Sequence, residues 1–275
     1  MSNRNLKIAK ERKYDEFYTR YEDIEKKVNE FKDKFKNKIV YCNCDSKDSN
    51  FTKYFLDNFY ELELKKLICT AFEKDGNGAM ITTTNPKKNI AIKKLNGDGD
   101  FRSNECVQRL KECDIVVSNP PFSLLRDYVN LIFEYSKDFL IIGNHNTICT
   151  KSLFNFFKEG KINACGRINH FTNHEKSKVN VGAAYWFTSF DVYREPLKLI
   201  CKYNKDKYPT YSNYKEAINV DKTDEIPCDY YGIIGVPLSF MHKYNKEQFE
   251  IVGLSSNIKI VDVGIYKRIF IKKRQ

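Results

Sequence analysis

The chain has 275 residues, 41% hydrophobic and 14% aromatic, enough to bury a sizeable core, which argues for a folded protein rather than a disordered one. Its 47 lysines and arginines against 36 aspartates and glutamates leave a net charge of +11, which favours a polyanionic partner, unless it only reflects a composition rich in Lys, Asn, Tyr and Ile. Nine scattered cysteines with no Cys-x-x-Cys pair argue against a disulfide scaffold and a zinc cluster, and no helix carries a His-x-x-x-His pair. No apolar run approaches the ~20 residues that span a bilayer, and the polar N-terminus lacks a signal-peptide core. A cytoplasmic, reduced protein with no metal and no membrane contact is expected.

Residues 1–13 are basic, and Asp15-Glu16-Phe17-Tyr18-Thr19 leads into a helical pattern through Ile24, Val28, Phe31 and Phe35. Lys38–Cys44 reads as the first strand, and Phe51, Tyr54, Phe55 and Phe59 mark a helix starting at about Asn50. This strand–turn–helix unit stands where a cofactor-binding βαβ unit would begin, but its turn has no Gly-x-Gly. Cys42, Asn43, Cys44 and Ser46 must serve instead, and Asp45 is a candidate partner for a cofactor's amino group. Leu64–Glu73 is the second strand. Glu73 at its end is placed to accept from ribose hydroxyls, or is a solvated edge charge. A hairpin pairs Ala79–Thr84 with Asn89–Leu95. Asp98-Gly99-Asp100-Phe101 is either an ordinary Gly-Asp turn or, in its acidic residue followed by an aromatic, resembles the place where cofactor-binding enzymes hold an adenine, with Asp100 ahead of Asp98. A short helix over Glu105–Cys113 follows.

The stretch from Asp114 to Phe122, Asp-Ile-Val-Val-Ser-Asn-Pro-Pro-Phe, begins as a buried β-branched strand and ends abruptly. Pro120 and Pro121 remove two backbone donors, and Pro120 holds Asn119 out of helical geometry. The result is a rigid, donor-poor corner at the carboxyl end of a strand. The Asn119 side-chain oxygen and the Pro120 carbonyl can each accept a hydrogen from an exocyclic NH2. Held in that way, the nitrogen is drawn out of conjugation with its ring, and Phe122 can stack on the flat base. The bland reading of the same residues is a strand-to-loop turn with a buried Phe.

Leu124–Tyr135 follows as an amphipathic helix, then Asp138–Gly143 as a buried strand whose exit holds His145, read as a polar loop residue rather than a general base. Ser152–Phe157 reads as helical. Asn169–Lys178, with His174, Lys176 and Lys178, suits a loop along phosphates. Val179–Phe190 is an aromatic strand region in which Tyr185 and Trp186 are either core or the lining of a pocket for an extruded base. Residues 202–231 interleave tyrosines such as Tyr211 with lysines such as Lys205 and Lys207, a mixture that suits nucleic acid but equally a solvated insertion. Gly232–Gln275 alternates in short antiparallel strands. The expected division is residues 1–195 as the catalytic domain and 196–275 as a target-recognition and C-terminal region.

Asn-Pro-Pro-Phe after a strand resembles the catalytic motif of amino-group methyltransferases that use S-adenosylmethionine, and Phe17-Tyr18-Thr19 before a helix resembles their N-terminal cofactor motif, where Tyr18 and Thr19 would meet the cofactor's carboxylate. The order of Phe17-Tyr18-Thr19, Cys42-Asn43-Cys44-Asp45, Gly97-Asp98-Gly99-Asp100-Phe101 and Ser118-Asn119-Pro120-Pro121-Phe122, with Val181-Gly182 and Gly235-Val236-Pro237, resembles the EcoRI-type adenine-specific DNA methyltransferases over nearly the whole chain. The resemblance implies an α/β fold with a Rossmann-like, seven-stranded class I methyltransferase sheet and an appended target-recognition region. It also implies methyl transfer from S-adenosylmethionine to the amino group of adenine in double-stranded DNA, with a cognate restriction endonuclease as a separate partner. The alternatives are an RNA adenine or protein glutamine methyltransferase of the same fold, and a DNA-binding module that has lost catalysis.

Overall fold

The structure, a computed structural model, describes residues 18–73, 76–168, 170–172, 178–179, 184–212, 214–255 and 267–274. The chain divides into two compact units, Met1–Thr147 with Gly166–Phe190, and Ile148–Cys165 with Asp191–Gln275. The break after Phe190 falls earlier than the expected one, and Ile148–Cys165, expected with the catalytic domain, groups with the second unit.

The first unit is built on β1 (Ile39–Cys42), β2 (Lys66–Ala71), β5 (Ile115–Ser118) and β6 (Asp138–Asn144), which lie parallel in the order β2-β1-β5-β6. These strands are short runs of Ile, Val, Leu and Phe with both faces covered, so Val40, Ile68, Val116 and Ile141 are fully buried. Beyond β2 the hairpin β3 (Ala79–Asn85) and β4 (Asn89–Lys94) continues the sheet antiparallel. At the other end come β10 (Ala184–Thr188), antiparallel to β6, and then β7 (Asn163–Arg167), whose residues fall on both sides of the division after Cys165, completing the order β4-β3-β2-β1-β5-β6-β10-β7. The sheet thus has eight strands rather than seven, because two antiparallel strands follow β2 at that edge. Its class is the expected α/β, Rossmann-like one all the same. β1 has β2 on one side and β5 on the other, and open α/β sheets bind ligands outside the carboxyl ends of the strands at such a reversal.

Helices α1 (Tyr21–Asn29), α2 (Asn50–Asp57), α3 (Asn104–Glu112), α4 (Leu125–Glu134) and α5 (His145–Ile148) complete the unit. Ser49 and Ser103 cap α2 and α3, each side chain accepting from the backbone three residues on. α4 has no side-chain cap, because the two prolines and a turn lead into it directly. A small pair, β8 (Phe171–Thr172) with β9 (Lys178–Val179), carries a bridge from Thr172 to Tyr18.

Of the two readings of Tyr185 and Trp186, core or pocket lining, the burial favours the core. Trp186, offered as a pocket wall, is 2% exposed and packs edge-on against Phe51 at 6.0 Å. An apolar ring on a central strand is more stable against a helix than against solvent. Tyr185, its neighbour on β10, is also buried, and its ring lies 5.0 Å from that of His145.

The second unit holds α6 (Phe154–Lys158), β11 (Thr210–Tyr211), β12 (Tyr214–Asn219), β13 (Ile233–Pro237), β14 (Phe249–Leu254) and β15 (Arg268–Lys273). The five strands order as β11-β12-β13-β15-β14, with β12 and β13 parallel and the other pairs antiparallel. Residues 202–231, read either as a nucleic-acid contact or as a solvated insertion, therefore supply two strands of a sheet. Tyr211, expected at nucleic acid, is 1% exposed: its ring meets Phe270 edge-on and its hydroxyl donates to Asn219 Oδ1 at 2.8 Å. Gly235 on β13 leaves room for it, since a Cβ there would strike the Tyr211 hydroxyl. Among the described residues no helix is long and apolar enough to cross a membrane, and no group of three or more His, Cys, Asp or Glu could hold a metal.

Candidate active site

The carboxyl ends of β1, β2 and β5 meet at the turn after β1. Asp45 N–H donates to the Thr70 carbonyl at 2.9 Å, which ties this turn to β2. The Asp45 carboxylate is 5% exposed and accepts from Ser49 Oγ at 2.9 Å and from Ser118 Oγ at 2.7 Å. Burial pushes the Asp45 carboxyl up from 3.8 to about 6, against the pull of those two hydroxyls. Asn43 is buried and accepts from the Tyr128 hydroxyl of α4. Cys44 lies beside Asp45, and burial raises its thiol well above the usual range. The turn without glycines therefore works through its side chains rather than by bare backbone.

Asp45, Ser46 and Asp48 form one wall of a cavity of about 190 Å³; Cys69, Ala71 and Glu73 of β2 and its exit, with Ile81 and Ile92 of the hairpin, line the rest. Glu73 is exposed there, and its N–H donates to the Asp98 carbonyl at 2.7 Å. Thr19 belongs to the same neighbourhood: its carbonyl accepts from Asn50 Nδ2 at 2.8 Å, at the start of α2. Among the described residues the Thr19 hydroxyl is buried with no hydrogen-bond partner, a cost that a ligand would relieve. Tyr18 exchanges two backbone hydrogen bonds with Thr172, both 2.9 Å. Phe171, next to Thr172, packs edge-on against Phe122 at 6.5 Å, so β8 links the N-terminal motif to the corner after β5. In that corner Asn119 and Phe122 are half-buried at the exit of β5, with Pro120 buried between them.

The family model described as "Adenine-specific methyltransferase EcoRI" matches residues 5–274. The chain belongs to that family. It is 39% identical to the Type II methyltransferase M.EcoRI of Escherichia coli, covering 100% of this chain and 98% of that relative. It is 37% identical to the Type II methyltransferase M.MpnI of Mycoplasma pneumoniae (90% of this chain, 85% of the relative) and 35% identical to M.MgeORF184P of Mycoplasma genitalium (90% and 86%). No solved structure matches the chain. The enzyme is an adenine-specific DNA methyltransferase, which sets aside the reading as a binding module without catalysis.

A methyltransferase needs a methyl donor, and the residues fit one in part. Asp45 and Glu73 share a cavity, and the Thr19 hydroxyl awaits a partner. Asp100 does not stand free for an adenine amino group. Both its oxygens accept from the Arg102 guanidinium, at 2.9 and 2.6 Å, and that hydrogen bonding holds its carboxyl below the usual range. Phe101 is buried edge-on against Tyr128 at 5.1 Å, with the Arg102 guanidinium 5.2 Å from its ring centre. This clamp is not legible before folding, because Arg102 lies two residues on and reads as a solvated charge.

The same methyltransferase turn depends on Gly99. Its φ is +82°, and a Cβ would fall on the Ala71 carbonyl oxygen at the end of β2. Gly99→Ala is expected to cost about 2 kcal/mol or more, from the left-handed backbone and the displaced strand end together. A thermal unfolding scan checks it, and an unchanged midpoint would contradict this packing.

Of the residues expected at DNA, Lys205 and Lys207 are exposed in the second unit. His174 and Lys176 lie outside the described residues, and Lys178 is described only as backbone in β9.

Proposed function

We propose that this DNA adenine methyltransferase transfers a methyl group from S-adenosylmethionine to the N6 amino group of an adenine flipped out of double-stranded DNA. The observation that carries the reading is the buried carboxylate of Asp45, a residue that lines the cavity and at the same time holds Ser118, the residue before Asn119. Asp45 would hold the cofactor's ammonium, Glu73 its ribose, and Thr19 with Tyr18 its carboxylate. Bound there, S-adenosylmethionine supplies an electrophilic methyl on a sulfonium.

The remaining work falls to the chain. Asn119 Oδ1 and the Pro120 carbonyl accept the two amino hydrogens, which points the nitrogen lone pair out of the base plane. Pro120 and Pro121 bring no N–H that would compete for the base. Phe122 stacks on the adenine, offsetting part of the few kcal/mol that extrusion costs. The catalytic contribution is chiefly positioning. The extra proton leaves the nitrogen for water after the methyl arrives, so no side chain need act as base.

The second unit, with Lys205 and Lys207 exposed, is the proposed target-recognition region, and the net charge of +11 supports salt-dependent affinity for phosphates. A cognate restriction endonuclease acting separately on the same sequence is the proposed partner.

The test is transfer of labelled methyl from S-adenosylmethionine to DNA lacking adenine methylation, with the product identified after digestion to nucleosides. The expected product is N6-methyladenosine in its deoxy form. Label that appears only when RNA is supplied would move the substrate class.

A further inference from the structure

The turn after β1 grips the catalytic corner at both ends. At the near end stands Ser118, the last residue of β5 and the only polar one in Ile115–Ser118; it is fully buried and donates to Asp45 Oδ2 at 2.7 Å. At the far end stands Tyr128, one turn into α4, 1% exposed and donating to Asn43 Oδ1. Residues 119–124 between them belong to no helix or strand. Within and just after this stretch, Leu124 N–H donates to the Pro121 carbonyl at 3.0 Å, Leu125 N–H to the Phe122 carbonyl at 3.5 Å and Tyr128 N–H to the Leu124 carbonyl at 3.0 Å.

Burying a hydroxyl costs free energy unless it is hydrogen-bonded, and an apolar residue at either position would avoid that cost. Both hydroxyls are instead spent on the same three-residue turn. One of the two acceptors, Asp45, faces the cavity. The corner is thus a stiff bracket with both feet on residues 43 and 45.

We infer that Ser118 and Tyr128 are positioning residues for methyl transfer: through Asp45 and Asn43 they fix Asn119 and Pro120 relative to the cofactor cavity. The inference rests on the proposed reading of that cavity. Neither residue lines the cavity itself. Each sets where the corner stands, and a displacement of about 1 Å in such a group lowers rate by about 10²-fold.

The experiment uses the full chain with Ser118→Ala, Tyr128→Phe, the double variant and Ser118→Thr. For each, kcat and KM are measured for methyl transfer to plasmid DNA lacking adenine methylation. The Kd for S-adenosylhomocysteine is measured by calorimetry, and the unfolding midpoint by thermal scan. Each single variant is expected to lose between about 10-fold and 10²-fold in kcat, with Kd within about threefold of the unaltered chain. Ser118→Thr keeps the hydroxyl and is expected to recover most of the rate. Unchanged kcat in both single variants, or kcat, Kd and midpoint falling together, would overturn the inference. If the unaltered chain fails to bind S-adenosylhomocysteine, the reading of the cavity fails first and takes the inference with it.

Discussion

Asn119→Ala is expected to lower kcat for methyl transfer by about 10³-fold while leaving affinity for S-adenosylhomocysteine within about threefold. The side chain stands at the exit of β5, apart from the residues that line the cavity, so its loss removes an interaction made with the target amino group alone. A group that binds more strongly as the reaction proceeds acts on kcat rather than on cofactor binding. With one acceptor gone, only the Pro120 carbonyl restrains the amino group, and the nitrogen stays conjugated with its ring. Asn119→Asp keeps an oxygen at the same reach and is expected to lose less. Steady-state kinetics with calorimetry on the two variants check this, and full activity in the alanine variant would remove Asn119 from the mechanism.

The second large effect is a trade at Asp45. Its carboxyl is 5% exposed and raised from 3.8 to about 6 by burial. A group whose folded pKa is raised contributes stability that is complete below about 3.8 and is lost as pH rises through about 6. Above that, keeping the charge buried costs on the order of 3 kcal/mol, an upper bound from the pKa difference. Asp45→Asn is therefore expected to raise the unfolding midpoint by a few degrees at pH 8, with the gain shrinking as pH falls from about 7 to about 4. The same change should weaken S-adenosylhomocysteine binding by between about 10-fold and 10²-fold, since a hydrogen bond to a charged group is worth about 1.5–3 kcal/mol. The opposite pattern, lower stability at pH 8 with unchanged binding, would make Asp45 a structural residue.

The elements were legible wherever periodicity was strong. The parallel strands, the hairpin after β2 and the helix after the corner all stand within a few residues of their expected bounds. The corner itself was legible because two adjacent prolines after an apolar run leave few conformations. Long-range pairing was not. Nothing near Ser118 signals a carboxylate from 73 residues away, and nothing near Asp100 signals that Arg102 turns back on it rather than to solvent. The readings of Trp186 and Tyr211 stayed divided for a related reason. An aromatic on a short strand looks the same whether its face meets solvent or a helix, and only the tertiary arrangement decides. Lys205 and Lys207, by contrast, lie at the surface, where a lysine ordinarily stands, with the Lys207 ammonium 5.5 Å from the Tyr208 ring centre.

The grip of the turn after β1 on the corner also bears on how such a sequence can drift. A turn made of glycines constrains only itself, whereas this one ties Asn43 to Tyr128 and Asp45 to Ser118. A change at one member of either pair strands a buried polar atom on the other, so single substitutions should be disfavoured and joint ones tolerated. Across descendants of this chain the two pairs should therefore change together or not at all, while the cavity's apolar lining at Ile81 and Ile92 varies independently of them.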